Sequence, residues 1–176
     1  MATVYTIGHS TRTTDELVEA LRTHGVRTLI DIRAFPASRR LPHFNRGALD
    51  GSLAEAGVRY VWNPALGGRR GKIRPDSPNT GLRNDSFRNY ADYMLTPEFQ
   101  HGAAEVVALA SESPTAIMCA ERMYFQCHRM LVSDYLTAHG NQVLHIVDAG
   151  PVREHRLTRE AHLVEGQLLY NAGHLF

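Results

Sequence analysis

Short runs of apolar, β-rich residues alternate along the chain with longer stretches in which apolar residues recur at helical spacing. This pattern predicts five strands, at residues 3–7, 28–32, 58–62, 115–119 and 142–147. It also predicts five helices, at residues 15–21, 46–56, 86–95, 97–111 and 127–139. Because strands that are joined through helices pair in parallel, we expect an α/β fold: a single three-layer domain with a mainly parallel sheet flanked by helices.

Two stretches lack a regular pattern. Residues 63–85 are rich in glycine and proline, and connections of this length in small domains are usually functional or mobile. Residues 150–176 are weakly patterned, and we interpret them as an extension of the same domain. Residues 1–176 are therefore predicted to form one domain.

Composition is that of an ordinary globular protein, with 43% hydrophobic and 21% charged positions among 176 residues. No apolar run reaches the length of a membrane span, and residues 1–10 lack the basic and apolar regions of a signal peptide. The two cysteines, Cys119 and Cys127, are too few for a disulfide scaffold. We therefore expect a cytoplasmic protein whose cysteines are either buried thiols or reactive groups.

Positive charge is concentrated in the middle of the chain. Residues 33–88 include eleven basic and four acidic side chains, a net charge of +7 within a chain whose total is +1. Such a block favours an anionic partner. The alternative is an arginine bias in composition, since only Lys72 among the basic residues is not arginine.

Reactive side chains follow three of the predicted strands. His9 and Ser10 follow the first strand, Asp31 and Arg33 lie at the end of the second, and Cys119 with Glu121 ends the fourth. In parallel α/β sheets, ligands bind outside the carboxyl ends of the strands. We therefore expect these strands to be neighbours and their ends to form one site.

The same residues belong to a set of motifs that resembles domain-of-unknown-function family 488. The resemblance covers roughly residues 3–147 and rests on residues 6–11, 24–26 with 31–33, 35–38, 66–68, 87–94, 118–121 and 127–129. The family is largely uncharacterised, so the resemblance implies little about function. Mechanism must therefore be inferred from the side chains.

A second, architectural similarity is to rhodanese and cysteine-phosphatase domains. The segment Leu29–Arg33 looks like their early Asp-x-Arg strand, and a cysteine likewise ends a later strand. Those enzymes bind an oxyanion with a glycine-bearing loop of backbone N–H groups. Residues 120–126 contain no glycine and place Glu121 two positions after Cys119, so its negative charge would oppose an incoming anion.

The carboxylate suggests a hydrolase or lyase acting on a nucleic-acid base or nucleotide. Glu121 would be the general acid or base or would stabilise a cationic transition state, His9 would orient water, and Cys119 would mainly shape the pocket. Glu121 could instead be paired with an arginine, and His9 could simply fix its loop. Two alternative functions remain open: a cysteine-dependent sulfurtransferase, phosphatase or thiol-redox enzyme, and a non-catalytic nucleic-acid-binding module.

The expected partner is a nucleic acid or nucleotide, because arginine interleaved with aromatic residues suits phosphate neutralisation and base stacking. The residues predicted to bind substrate are Arg33, Asp31, Ser10, Trp62, Arg69, Arg70, Lys72, His128 and Arg129. Asp31 and Arg33 alternate along one strand, so an internal salt bridge between them is an equally good expectation.

No cofactor is expected. The chain lacks a P-loop and a G-x-G-x-x-G motif after a strand, which argues against nucleotide-driven and hydride-transfer chemistry. Cys119, Cys127 and His128 could in principle bind a metal ion, but their spacing is unlike that of known zinc sites. A thiol pair or two inert thiols are the other interpretations, and we expect no metal site.

Overall fold

Six strands form one sheet at the centre of the molecule. The computed structural model describes residues 1–71, 74–148 and 150–171. The strands are β1 (Thr3–Gly8), β2 (Thr28–Asp31), β3 (Arg59–Trp62), β4 (Thr115–Cys119), β5 (Gln142–Ile146) and β6 (Arg153–Glu154). Their order across the sheet is β3-β2-β4-β1-β5-β6, and only β6, at one edge of this sheet, pairs antiparallel.

Helices cover both faces of the sheet. They are α1 (Thr14–Thr23), α2 (Arg46–Glu55), α3 (Asp85–Tyr93), α4 (Pro97–Glu112) and α5 (Arg129–Ala138). Apolar residues of α1 and α2 form one buried cluster with the sheet, and those of α3, α4 and α5 form another on the opposite face. The predicted three-layer α/β fold is confirmed. Among the described residues, no helix is both long and apolar enough to cross a bilayer.

The predicted elements are all present, with boundaries that differ by one or two residues. β4 has the predicted bounds, whereas α5 begins at Arg129 rather than at Cys127. Cys127 has an extended backbone (φ −144°, ψ 177°), and a short 3-10 turn over Tyr124–Gln126 precedes it. The cysteine therefore lies just before the helix rather than in its first turn.

The C-terminal segment has more structure than its weak pattern indicates. A hairpin of β7 (Ala161–Val164) and β8 (Gln167–Tyr170) is joined by Glu165 and Gly166, which have φ values of 52° and 80°. Positive φ at both positions matches the twist of a two-residue hairpin. Leu168 and Tyr170 pack into the core beside α5, so this segment completes the α5 face of the molecule.

Three neighbouring strands bring the expected site together. β4 lies between β2 and β1, and Cys119 pairs in register with Gly8. The expectation that these strands are neighbours is therefore confirmed. The loop after β4 then passes so close to β1 that a Cβ atom on Gly8 would lie 1.6 Å from the carbonyl oxygen of Glu121. Only glycine fits at that position.

The core beneath the site can be tested with a matched pair of leucines. Leu53 of α2 is fully buried, whereas Leu163 of β7 is 49% exposed. We expect Leu53→Ala to lower the free energy of unfolding by about 2–5 kcal/mol, because it removes apolar contacts and leaves a cavity. Leu163→Ala should change it by less than about 0.5 kcal/mol. Urea unfolding followed by circular dichroism measures both, and equal effects would contradict the assigned layers.

Candidate functional site

A cavity of about 680 Å³ opens at the carboxyl ends of β2 and β4. Ligand sites are usually concave and of this size, and they occur at this edge of α/β sheets. Its lining includes backbone and side chains from three loops and the start of α3. The lining residues are Arg33, Ala34, Phe35, Ala37, Gly68, Arg69, Ser86, Phe87, Cys119, Ala120, Glu121, Gln126, Cys127 and His128.

Two cysteine sulfurs lie side by side at this cavity. Cys119 is buried at the end of β4, and Cys127 is partly exposed just before α5. Their Sγ atoms are 2.7 Å apart, and both cysteines are unbridged. Sequence reasoning treated the pair only as one of several alternatives, because a separation of eight residues does not reveal whether the intervening loop brings them together.

The two thiols have unequal acidities. Burial raises the pKa of Cys119, and its contact with Cys127 raises it further. The pKa of Cys127 is lowered, first by the hydrogen bond from the Cys119 thiol and then by His128 and Arg129. The backbone N–H of Arg129 also points at the Cys127 sulfur, at 3.4 Å. These surroundings favour the thiolate at Cys127 and the protonated thiol at Cys119.

Arg129 fixes the loop that brings the cysteines together. Its guanidinium is 1% exposed and donates through Nη2 to the carbonyl oxygens of Glu121 (3.1 Å) and Arg122 (3.0 Å). Through Nη1 it donates to Oγ1 of Thr6, at 3.3 Å. Among the described residues, no carboxylate lies within 4.0 Å of this guanidinium. Arg129 was predicted to hold a phosphate, but its Nη atoms are occupied by the protein itself.

Glu121 lines the cavity but is not held in place there. The residue is exposed, and no hydrogen bond or ion pair of its side chain is found among the described residues. Its carbonyl oxygen, by contrast, accepts a hydrogen bond from Arg129 and lies 3.7 Å from Sγ of Cys119. The backbone at Glu121 thus anchors the loop, while the carboxylate faces solvent.

Asp31 and Arg33 form the expected internal salt bridge. Arg33 donates from Nε to Oδ1 of Asp31 (2.9 Å) and from Nη2 to Oδ2 (2.7 Å), and both side chains are buried. The hydroxyl of Tyr60 donates to the same carboxylate at 2.5 Å, and Nη2 of Arg33 reaches the carbonyl oxygen of Phe44 at 2.7 Å. Asp31 therefore positions Arg33 at the cavity wall and does not itself line the cavity.

His9 belongs to this network rather than to the cavity surface. It is 4% exposed, and burial lowers its pKa from 6.5 to about 4, so the imidazole is neutral at neutral pH. Nδ1 lies 2.9 Å from the carbonyl oxygen of Ser10 and must donate to it, which leaves Nε2 to accept from Arg33 at 3.4 Å. Ser10 has a φ of 49°, a conformation that few side chains adopt.

His128 lies between Gly68 and the carboxyl end of β2. Its Nε2 lies 2.9 Å from the carbonyl oxygen of Ile32, to which it must donate. Nδ1 faces Gly68, where a Cβ atom would approach it to 2.5 Å. A glycine at position 68 therefore leaves room for the imidazole beside Cys127, whose pKa the histidine lowers.

Some arginines of the basic block, residues 33–88, bind groups of the protein itself. Arg70 donates to the carbonyl oxygens of Pro64 (2.6 Å) and Gly67 (3.1 Å), and its guanidinium lies 3.9 Å above the ring of Tyr93. Arg69, by contrast, is exposed at the cavity. Lys72 lies outside the described residues.

Trp62 lies next to the salt bridge between Asp31 and Arg33. Its indole N–H donates to the carbonyl oxygen of Arg33 at 3.0 Å, and the guanidinium of Arg46 stacks on it at 4.4 Å. Its ring is half-buried and does not line the cavity. Of the residues predicted from the sequence, the cavity brings together Arg33, Arg69, Cys119, Glu121 and His128. Those not on its lining are His9, Ser10, Asp31, Trp62, Arg70 and Arg129.

Sequence reasoning missed a second set of buried polar groups next to the site. Asp134 and Ser133 of α5, His145 and His155 are buried among apolar residues. Polar residues within the apolar stripe of a helix, such as Asp134, were the available signal. Within the ranges 1–71, 74–148 and 150–171, no group of three or more His, Cys, Asp or Glu side chains is arranged to hold a metal ion.

The family assignment follows from the match to known proteins. A family model described as "Domain of unknown function DUF488" matches residues 13–136, which is more than half of the chain. The chain therefore belongs to the DUF488 family, as its motifs indicate. No curated protein and no solved structure matches it.

The neutral state of His9 predicts a pH-dependent stability. Because folding lowers the pKa of His9 from 6.5 to about 4, the unfolded chain binds the proton more tightly. The free energy of unfolding should be highest above pH 6.5 and should fall as the pH decreases towards 4. At about pH 5, the loss due to His9 is on the order of 2 kcal/mol.

Urea unfolding at about pH 7.5 and about pH 5 measures this loss. His9→Gln, which keeps one donor and one acceptor, should reduce the pH dependence. His101→Gln, at an exposed position of α4, should leave it unchanged. An undiminished pH dependence in His9→Gln would contradict the neutral imidazole.

Proposed function

We propose that this protein is a thiol-dependent oxidoreductase that reduces disulfides through Cys127 and Cys119. The observation that supports this function best is the pair of sulfurs 2.7 Å apart at a cavity, one partly exposed and acidified and the other buried and protonated. An accessible thiolate beside a buried thiol is the arrangement that two-step thiol–disulfide exchange requires.

Both steps of the proposed exchange use groups of this chain. The Cys127 thiolate attacks one sulfur of the substrate disulfide, forms a mixed disulfide and expels the other sulfur as a thiolate. Cys119 then loses its proton and attacks the Cys127 sulfur, which expels the second substrate thiolate and closes the Cys119–Cys127 disulfide. Two electrons pass from the cysteines to the substrate, and an external dithiol must reduce the pair again.

The loop between the cysteines favours this chemistry over sulfur transfer from an oxyanion or phosphate-ester hydrolysis. Enzymes of those two kinds surround the substrate anion with backbone N–H groups. Here the carbonyl oxygens of Glu121 and Arg122 turn inwards, and they accept hydrogen bonds from Arg129. Carbonyl oxygens cannot donate to a substrate anion, whereas thiol–disulfide exchange needs no oxyanion cradle.

Hydrolysis centred on Glu121 stays a prediction with less support. A general acid or base must be held at a fixed distance from the reacting bond. The Glu121 side chain is exposed, and no contact that fixes it is found among the described residues. This function predicts loss of turnover in Glu121→Gln and retention in Cys119→Ser, the reverse of thiol chemistry.

Single cysteine variants test the proposed exchange with a chromogenic aromatic disulfide as substrate. The wild-type protein should release two thiolates per chain and become lighter by two hydrogens. Cys119→Ser should release one thiolate and keep the other half of the substrate as a mixed disulfide on Cys127, because no second thiol can displace it. Cys127→Ser should react at least tenfold more slowly, since only the buried, protonated thiol remains.

Intact-mass spectrometry and absorbance follow these products. Reduction by dithiothreitol should restore the wild-type mass and permit a second round. Equal rates in the two serine variants, or a wild-type chain that retains two adducts, would contradict the assigned roles.

Binding of a nucleic acid or nucleotide is a separate proposal, supported by Arg69, which is exposed at the cavity, and by the exposed side chains of Arg39 and Arg40. We expect oligonucleotide affinity to fall steeply with salt and to weaken in Arg69→Ala, because phosphate contacts release counterions. Arg59→Ala is the matched control, since Arg59 is exposed at the opposite, amino end of β3. Fluorescence anisotropy at two salt concentrations measures both, and salt-independent binding would contradict the proposal.

A further inference from the structure

A chain of buried hydrogen bonds runs from the cysteine site to the C-terminal segment. Nη1 of Arg129 donates to Oγ1 of Thr6 at 3.3 Å, and this oxygen lies 2.6 Å from Nδ1 of His145. Nε2 of His145 lies 2.8 Å from Nδ1 of His155, whose Nε2 lies 2.7 Å from Oδ1 of Asp134. All five side chains are buried, with at most 5% exposure.

The groups at the two ends of this series of hydrogen bonds fix the hydrogen atoms of its end links. Asp134 is an acceptor, so His155 donates to it from Nε2. At the other end Thr6 Oγ1 accepts from Arg129, and the links from Thr6 to His145 and from His145 to His155 each pair one donor with one acceptor. Burial keeps the imidazole of His145 neutral, because it lowers the pKa of this histidine to about 3.

Arg129 needs this support because it is a buried cation, and no carboxylate lies within 4.0 Å of it in the part of the chain that the structure describes. An unpaired buried charge is costly, so its orientation depends on the acceptors that surround it. Two of these acceptors are loop carbonyl oxygens, and the third is Thr6. The series of hydrogen bonds links Thr6 to the carboxylate of Asp134. This carboxylate also accepts hydrogen bonds from the hydroxyl of Tyr170 and the N–H of Thr158.

The charges around the cysteine pair identify what this orientation controls. Cys127 is acidified by the Cys119 thiol, by His128 and by Arg129, and Arg129 also favours the thiolate at Cys119. On the chain's other side, the ring of Tyr124 stacks on His145 with centroids 3.8 Å apart. Arg129 is thus the group that connects the buried chain to the two sulfurs.

We propose that Thr6, His145, His155 and Asp134 are positioning residues that hold Arg129 against the cysteine pair and thereby set the reactivity of Cys127. His155, Thr158 and Tyr170 lie beyond residues 13–136, the part that matches the family. The C-terminal segment is therefore part of the thiol site. This inference rests on the proposed function in one respect, the role of Cys127 as the attacking sulfur.

Alkylation of Cys127 by iodoacetamide as a function of pH tests the proposal without any substrate. The fully reduced chain is labelled, and peptide mass spectrometry separates Cys127 from Cys119. Thr6→Val removes the acceptor of Arg129 while preserving side-chain shape, so the alkylation midpoint should rise by about one pH unit, a roughly tenfold slower reaction below both midpoints. Thr6→Ser, which retains the hydroxyl, should keep the wild-type midpoint.

A second variant tests the end of the hydrogen-bond series that lies farthest from Arg129. It also keeps the proposal testable if Thr6→Val does not fold. In His155→Gln, the side chain lacks the two ring nitrogens that contact His145 and Asp134 at the same time. The alkylation midpoint of Cys127 should therefore rise, as in Thr6→Val. His101→Gln, exposed on α4, should leave it unchanged. Circular dichroism and thermal unfolding confirm that each variant is folded before it is labelled.

The outcomes separate this inference from the proposed function. An ordinary thiol midpoint at Cys127 in the wild-type protein would overturn both. A low wild-type midpoint that is the same in folded Thr6→Val or His155→Gln would overturn the positioning role alone. A raised midpoint in both variants, with rescue by Thr6→Ser, supports it even if the protein fails to reduce the chromogenic disulfide.

Discussion

The site depends on one buried cation, the guanidinium of Arg129. It draws the carbonyl oxygens of Glu121 and Arg122 inwards, and this shapes the loop that brings Cys127 against Cys119. The same group supplies positive charge next to both sulfurs. The orientation of one guanidinium therefore bears on the path of the loop, on the placement of the two sulfurs and on the acidity of Cys127.

Local patterns predicted the fold well because helical and strand periodicity is recorded within each segment. The bounds of β4 and the pairing of Asp31 with Arg33 followed from spacing alone. The hairpin at Ala161–Tyr170 was missed, since its turn is Glu165–Gly166 rather than the Asn-Gly or Asp-Gly that signals such turns most strongly. The chain of His145, His155 and Asp134 joins groups from separate elements, which no local pattern encodes.

Charge counting was a weaker guide than periodicity. A net charge of +7 over residues 33–88 indicated a surface for anions, but net charge does not distinguish a free guanidinium from one that binds carbonyl oxygens. Arg33 and Arg70 are held by the protein itself, whereas Arg69 is exposed at the cavity. Similarity of fold likewise does not establish the chemistry of a site. After β4, the carbonyl oxygens that turn towards Arg129 distinguish this loop from an anion-binding loop in a similar position.

The place of β1 in the sheet constrains the order in which the chain can assemble. Among the strands of this sheet β1 is synthesised before the others, yet its partners are β4 and β5. The contact of Thr6 with His145, and that of His145 with His155, also form only after these later residues have been synthesised. Contacts that are so distant in sequence form late. Until residues near Tyr170 have left the ribosome, the carboxylate of Asp134 lacks its hydrogen bonds from Thr158 and Tyr170, and the buried polar groups beside the cysteine site are incompletely paired.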